Sequence, residues 1–169
     1  MELYLIRHGA AENLGAKGNF TDDARDLTKQ GAIRAEKVGE GLRKLDVKFD
    51  LILTSPALRA SRTASEIRKG MRLPAELIRI APELGTDARI ENMVELINQN
   101  FLQYSQVALV SHQPNLSLLA SWLLSEGSEI EFKMSRAGVV CLQTGPRLEA
   151  GRASLLWKML PGQLVQLAD

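Results

Sequence analysis

Leu3-Tyr4-Leu5-Ile6-Arg7-His8-Gly9 is the stretch on which the reading of this chain turns. Four apolar residues in a row suit a strand covered on both faces, and such strands belong to parallel sheets flanked by helices. The run ends in a cation, an imidazole and a glycine, so polar chemistry begins where the strand stops. Two further runs repeat the pattern. Leu51 to Leu53 is followed a few residues on by Arg59, and Val107 to Val110 leads directly into Ser111-His112. His8 and His112 are the only two histidines of the chain. Ligands of open α/β sheets bind beyond the carboxyl ends of the strands, and all these residues fall at such ends.

Outward from that stretch, the chain alternates short apolar runs with amphipathic ones, the pattern of an α/β domain. Strands are expected at 3–6, 51–54, 107–111, 139–144 and 153–160. The last two, joined by Gly145-Pro146 through Gly151, read as an antiparallel hairpin at the sheet edge. Helices are expected at 29–45, 59–69, 89–103 and 116–125. Thr28 is the N-cap of the first, with Ile33, Val38, Leu42 and Leu45 near helical spacing. Ser55-Pro56 is a turn-like start to the second, and Pro74 closes it. Ile90, Met93, Val94, Ile97 and Phe101 share one face of the third, and Asn115 caps the fourth. Gly15 to Asn19 reads as an exposed loop bordering the Arg-His-Gly corner. The expected fold is a three-layer α/β/α domain spanning 1–169, its central sheet mostly parallel with an antiparallel edge.

Composition bounds the function. The chain has 169 residues, enough for one domain with a real core. A net charge of +1 gives no global field to recruit nucleic acid or an anionic membrane. The short cationic stretch Arg68 to Arg72 reads as a solvated helix end. The lone Cys141 lies in an apolar run and reads as a small buried hydrophobe. No apolar run approaches the roughly 20 residues that span a bilayer, and no secretory leader is evident. The cytoplasm is therefore the expected compartment.

Two imidazoles and two guanidiniums at neighbouring strand ends suit a transferable phosphoryl group, whose charge must be neutralised over its equatorial oxygens. Arg7 and Arg59 offer forked, permanent cations. The amino terminus of the helix near Ser55 to Arg59 adds backbone N–H groups. A neutral imidazole is a competent nucleophile, and nearby arginines favour the neutral form. Each residue also has an ordinary reading: Arg59 or Arg62 paired with Glu66 along a helix, or His112 satisfied by a carbonyl in a capping turn. Two histidines and one strand cysteine lack zinc-ligand spacing, so no metal is expected. No glycine-rich nucleotide loop occurs.

Five segments, in order along the chain, resemble the histidine phosphatase superfamily, the phosphoglycerate mutase-like group, and most closely its small bacterial SixA-type phosphohistidine phosphatases. They are Leu5 to Gly9, Arg25 to Gly31, Leu53 to Ala64, Pro82-Glu83-Leu84 and Val110 to Pro114. The resemblance implies a phosphoglycerate mutase-like fold and a cofactor-independent phosphatase. His8 would be the phosphorylated nucleophile, with Arg7, Arg59 and His112 forming the phosphate pocket. Arg25 to Gly31 reads as helix entry and Ser111 as a strand-end hydrogen-bonding group. Arg62, a turn beyond Arg59, is less clearly directed to the site.

The chain departs from the larger members in two respects. About fifty residues join Thr54 to Val107, too few for a long insertion carrying a general acid. Glu83 is the nearest candidate by position and reads equally as a loop carboxylate; Asp22, Asp23 and Asp26 read as solvated or helix-entry charges. The mutases' asparagine six places after the histidine is Leu14 here, which argues against mutase activity. Glu12 and Asn13 read equally as rim or as loop. A weak acid and an open pocket suit phosphohistidine, whose leaving imidazole needs little acid help. The expected substrate is phosphohistidine on a signalling protein such as a histidine-containing phosphotransfer domain, acted on by a monomer. The alternatives are a small-molecule phosphomonoesterase with Glu83 as acid, and a non-catalytic phosphate-binding module.

Overall fold

Apolar residues on both faces of three runs are what bury the centre of this chain. In a computed structural model that describes residues 1–18, 20–126, 130–131 and 133–169, those runs are β1 (Glu2–Arg7), β2 (Leu51–Thr54) and β4 (Gln106–Ser111). Asn19, at the end of the expected loop, lies outside the described residues. β3 (Ile78–Ile80), β5 (Val139–Gln143) and β6 (Ser154–Met159) complete a six-stranded sheet of order β3-β2-β4-β1-β5-β6. The pairs β1–β4, β2–β4 and β2–β3 are parallel, whereas β5 lies antiparallel to both β1 and β6. The mostly parallel sheet with an antiparallel edge is thus present.

Alternation along the strands divides the core in two. Leu3, Leu5, Leu51, Leu53, Val107 and Leu109 face α3 (Ile90–Asn100) and α4 (Asn115–Leu124). Tyr4, Ile6, Ile52, Ala108 and Val110 face α1 (Lys29–Lys44), α2 (Leu58–Met71) and α5 (Pro161–Ala168). This is the three-layer α/β/α arrangement. Each fully buried Leu or Ile contributes about 1.5–3 kcal/mol of transfer free energy. Cys141 is fully buried on the second face, and burial pushes its thiol up to about 11, so it is a packing residue. Among the described residues no helix is long and apolar enough to cross a membrane.

Thr28 caps α1: its backbone is extended and its Oγ1 accepts the Gly31 N–H at 2.9 Å, a contact worth about 1 kcal/mol. The buried face of α1 differs from the expected one. Ile33 and Leu45 are 42% and 38% exposed, while Gly31, Ala35, Val38, Gly39, Gly41 and Leu42 face inward. The glycines are there for approach. A Cβ on Gly39 would overlap the Ile67 carbonyl of α2, one on Gly70 the Glu36 carbonyl of α1, and one on Gly41 the Leu164 carbonyl of α5. The three helices meet backbone to backbone along this seam.

Other expectations also shift. Asn115 does not cap α4; Pro114 holds that position, and the Asn115 amide donates to the Gly85 and Thr86 carbonyls at 3.2 and 3.0 Å. α5 begins at Pro161-Gly162, which reads as a breaker pair although proline fits the first turn of a helix. β3 is three residues long and half exposed, with no run to announce it.

Candidate active site

Register explains why distant residues meet. Ile6, Val110 and Thr54 share one row across β1, β4 and β2. The next residues of each strand therefore leave the sheet at one level: Arg7-His8, Ser111-His112 and Ser55-Pro56. The rows extend briefly, with His8 N–H donating to the Ser111 carbonyl and Ser55 N–H to the Val110 carbonyl, each at 3.0 Å. Because β5 runs antiparallel to β1, with Val139 beside Ile6, residues just before β5 arrive at the same edge.

His8 and His112 stand face to tilted face, ring centroids 5.2 Å apart. His8 Nδ1 lies 2.8 Å from the Gly9 carbonyl oxygen. A carbonyl only accepts, so Nδ1 carries the proton and the lone pair sits on Nε2. Burial, reinforced by Arg59, Arg7 and Arg136, lowers the His8 pKa to about 4. Gly9 itself has no left-handed φ; a Cβ there would crowd Leu27 and the Gly31 carbonyl. Its N–H donates to Thr63 Oγ1 at 2.9 Å, and Thr63 donates to the Arg59 carbonyl at 2.6 Å. The fully buried Thr63 thereby ties the His8-Gly9 turn to the helix that carries Arg59.

His112 has the opposite tautomer. Its Nδ1 is 3.3 Å from an Arg59 nitrogen, which can only donate, so Nε2 bears the proton and donates to Ser55 Oγ at 2.8 Å. Burial, then Arg59, lowers its pKa to about 3. Among the described residues no carbonyl holds this ring, unlike in the ordinary reading of the sequence. Ser111 Oγ points away and donates to the Leu84 carbonyl at 2.8 Å, as expected of a strand-end group.

Arg59 is 4% exposed and bonds Asp22 twice, at the carbonyl and at Oδ2, both 2.6 Å. Asp22 also accepts from Arg25 at 2.7 Å. The hydrogen bond from Arg25, followed by the proximity and hydrogen bond of Arg59, holds the Asp22 carboxyl below the usual carboxylate range. Asp22 thus occupies the guanidinium fork that an oxyanion would use. Arg7 donates to the Met134 carbonyl at 2.8 Å, while its Nε is buried without a hydrogen-bond partner. Burial and Arg136 lower the Arg7 pKa. Glu66 pairs with Lys69, Arg62 with Asp26 and Arg59 with Asp22, so neither arginine takes the Glu66 partner of the ordinary reading.

These groups line a cleft of about 310 Å³ that brings His8, His112, Arg7 and Arg59 together with Asp22, Arg25 and Arg136. Glu83 is half-buried in the turn Pro82–Leu84 and is not among the lining residues; Thr86 lines the cleft instead. Asp22 is the only carboxylate on the cleft wall among the described residues. The first turn of α2 contributes less than expected: Leu58 N–H donates to the Asp23 carbonyl and Ala57 N–H to Ser55 Oγ. The sequence does not direct Arg25 or Arg136 to the site: Arg25 reads as helix entry, and Arg136 lies in a loop with no strand-end pattern in parallel register. Among the described residues no three His, Cys, Asp or Glu side chains gather to hold a metal. A larger hollow of about 650 Å³ adjoins the cleft, sharing Arg7 and Gln113, and is walled in part by Leu118 and Met134.

Known proteins resemble this chain in sequence and in fold. The histidine phosphatase superfamily (branch 1) family model matches residues 3–84. An uncharacterised protein of Picosynechococcus sp. is 32% identical over 149 residues, 86% of each chain. The phosphohistidine phosphatase SixA of Escherichia coli is 26% identical over 167 residues, covering 97% of this chain and 96% of its own. The structure of the protein histidine phosphatase SixA complexed with tungstate superposes with a TM-score of 0.82 at 23% identity, over 97% of this chain and 99% of that one.

Proposed function

This chain belongs to the histidine phosphatase superfamily and is a phosphatase of that superfamily; on that premise we propose that it dephosphorylates phosphohistidine on a signalling protein through a covalent phospho-His8 intermediate, without a cofactor. The observation that carries the reading is the fixed neutral tautomer of His8, its Nε2 lone pair free among arginines.

Attack by Nε2 on phosphorus forms the Nε2–P bond as the P–N bond of the substrate breaks. The departing imidazole nitrogen takes a proton from water. Water then attacks phospho-His8 and releases a proton to solvent as the Nε2–P bond breaks, which returns His8 to its neutral form and frees inorganic phosphate. Arg7 and Arg59 neutralise the equatorial oxygens, which requires Asp22 to release Arg59. As charge builds beside it, His112 takes a proton from solvent on Nδ1 and donates to the phosphoryl group, while Nε2–H stays on Ser55.

The substrate assignment rests on the acid. Asp22 is kept ionised by its arginines and is a poor proton donor, and Glu83 lies off the cleft wall. A leaving imidazole tolerates that arrangement better than an alkoxide does. The adjoining hollow gives room for a protein surface, in keeping with a histidine-containing phosphotransfer domain as partner. The test compares wild type and His8→Ala on such a phosphorylated domain and on glycerol phosphate, without added metal. Loss of phosphohistidine with wild type alone, and slow ester hydrolysis, is expected. Full activity of His8→Ala overturns the covalent route, and fast ester hydrolysis overturns the substrate class.

A further inference from the structure

Arg136 is the guanidinium of the cleft to which nothing has yet been assigned. It lines the same cleft as the two histidines, is exposed, and makes no hydrogen bond or ion pair among the described residues. Arg7, Arg25 and Arg59 each have a partner.

The backbone segment that carries it is nevertheless anchored. The Ala137 N–H donates to the carbonyls of both Arg7 and His8, at 2.9 and 3.2 Å, and the Arg7 N–H donates to the Gly138 carbonyl at 3.3 Å. The Arg7 guanidinium holds the Met134 carbonyl of the same segment. Ala137 is fully buried with φ +58°, a left-handed conformation that a residue with a Cβ resists. A strained, clamped turn therefore carries Arg136 at the mouth of the cleft, beside the reacting histidine. Its charge is felt there, since it helps to lower the pKa of both Arg7 and His8.

Charge balance indicates what it meets. Four guanidiniums face one carboxylate and two neutral imidazoles. A phosphoryl dianion leaves one positive charge unmatched, and the exposed, unpaired Arg136 is where it resides. A guanidinium fork matches a carboxylate. We propose that Arg136 sets specificity by pairing with an acidic side chain beside the phosphohistidine of the protein substrate, a reading that rests on the function proposed above.

The test uses two phosphohistidine peptides differing only in a neighbouring Glu or Gln, with a third carrying Lys. Wild type should favour the Glu peptide in kcat/KM by about two- to fivefold at low salt, as exposed ion pairs do, and less as ionic strength rises. Arg136→Gln should bring the ratio to about one, and Arg136→Glu should favour the Lys peptide. Each ratio is taken within one variant, so partial misfolding cancels. A wild-type ratio of one, or a ratio unchanged in Arg136→Gln, overturns the role of Arg136. Absence of wild-type turnover on all three peptides overturns the phosphohistidine reading and this one with it.

Discussion

Truncating Ser55 to alanine should cost both stability and turnover, in amounts the structure sets. Ser55 is 0% exposed, and its Oγ accepts two N–H groups, from His112 Nε2 at 2.8 Å and from Ala57 at 3.2 Å. Removing it leaves two buried donors unmatched, each costing about 1–3 kcal/mol. A loss of about 2–6 kcal/mol lowers Tm by about 4–24 °C in a chain of this size. Ser111→Ala is the control. It removes a buried hydroxyl at a neighbouring strand end that serves only the Leu84 carbonyl, and should cost about 1 kcal/mol. The two differ in what happens to His112. Without Ser55 the ring keeps only its long contact to Arg59, so it should turn and mix tautomers, lowering kcat about 10- to 100-fold, or about 1.4–2.8 kcal/mol. Nitrogen NMR should give a pyridine-type Nδ1 and a pyrrole-type Nε2 in wild type, averaged signals in Ser55→Ala, and the wild-type pattern in Ser111→Ala. Unchanged His112 nitrogens, with kcat falling no further than in Ser111→Ala, would refute the positioning argument.

The pH dependence of stability follows from the two lowered imidazole pKa values, about 4 for His8 and about 3 for His112. The unfolded chain protonates both near 6.5, so between pH 6.5 and 4 it binds protons that the fold refuses. Stability should therefore fall as pH drops through that window, with no contribution from either ring above it; urea midpoints of a His8→Asn/His112→Asn variant should fall less steeply, and parallel curves sink the idea. Asp22→Asn frees Arg59 from a competing carboxylate and should strengthen inhibition by inorganic phosphate about two- to fivefold. Weaker inhibition in that variant would mean Asp22 orients Arg59 instead of competing for it.

Much of this architecture was legible because strands buried on both faces leave unbroken apolar runs, and Leu3 to Ile6, Leu51 to Leu53 and Val107 to Val110 are such runs. What escaped has physical reasons. Hydrophobic periodicity finds Val38 and Leu42 on the inner face of α1 but cannot see the glycines beside them, so Ile33 and Leu45 read as inward although Gly39 and Gly41 hold that side. The half-exposed Ile78-Arg79-Ile80 pairs with β2 on one side only and needs no apolar run. His8, His112 and Arg7 lie at the ends of parallel strands and Arg59 in the helix turn just after one, where the sequence directs attention, and the structure gathers them in one cleft. Arg136 precedes an antiparallel strand, whose amino-terminal end reaches the same edge; only the pairing direction reveals it. Arg25 was legible as a residue but not as a neighbour, because its contact to Asp22 depends on how the loop before α1 folds back.

The glycine seam between α1, α2 and α5 has a practical side for anyone engineering this enzyme. Replacing a glycine inside a helix by alanine ordinarily gains about 0.5–1 kcal/mol and is a first resort for heat resistance. At Gly39, Gly41 and Gly70 the added methyl would land on a neighbouring helix's carbonyl, so that route is closed. The same contact acts as a ruler. α1 follows the loop bearing Arg25 and α2 carries Arg59 in its first turn, and main chain against main chain leaves no rotamer through which their spacing can drift.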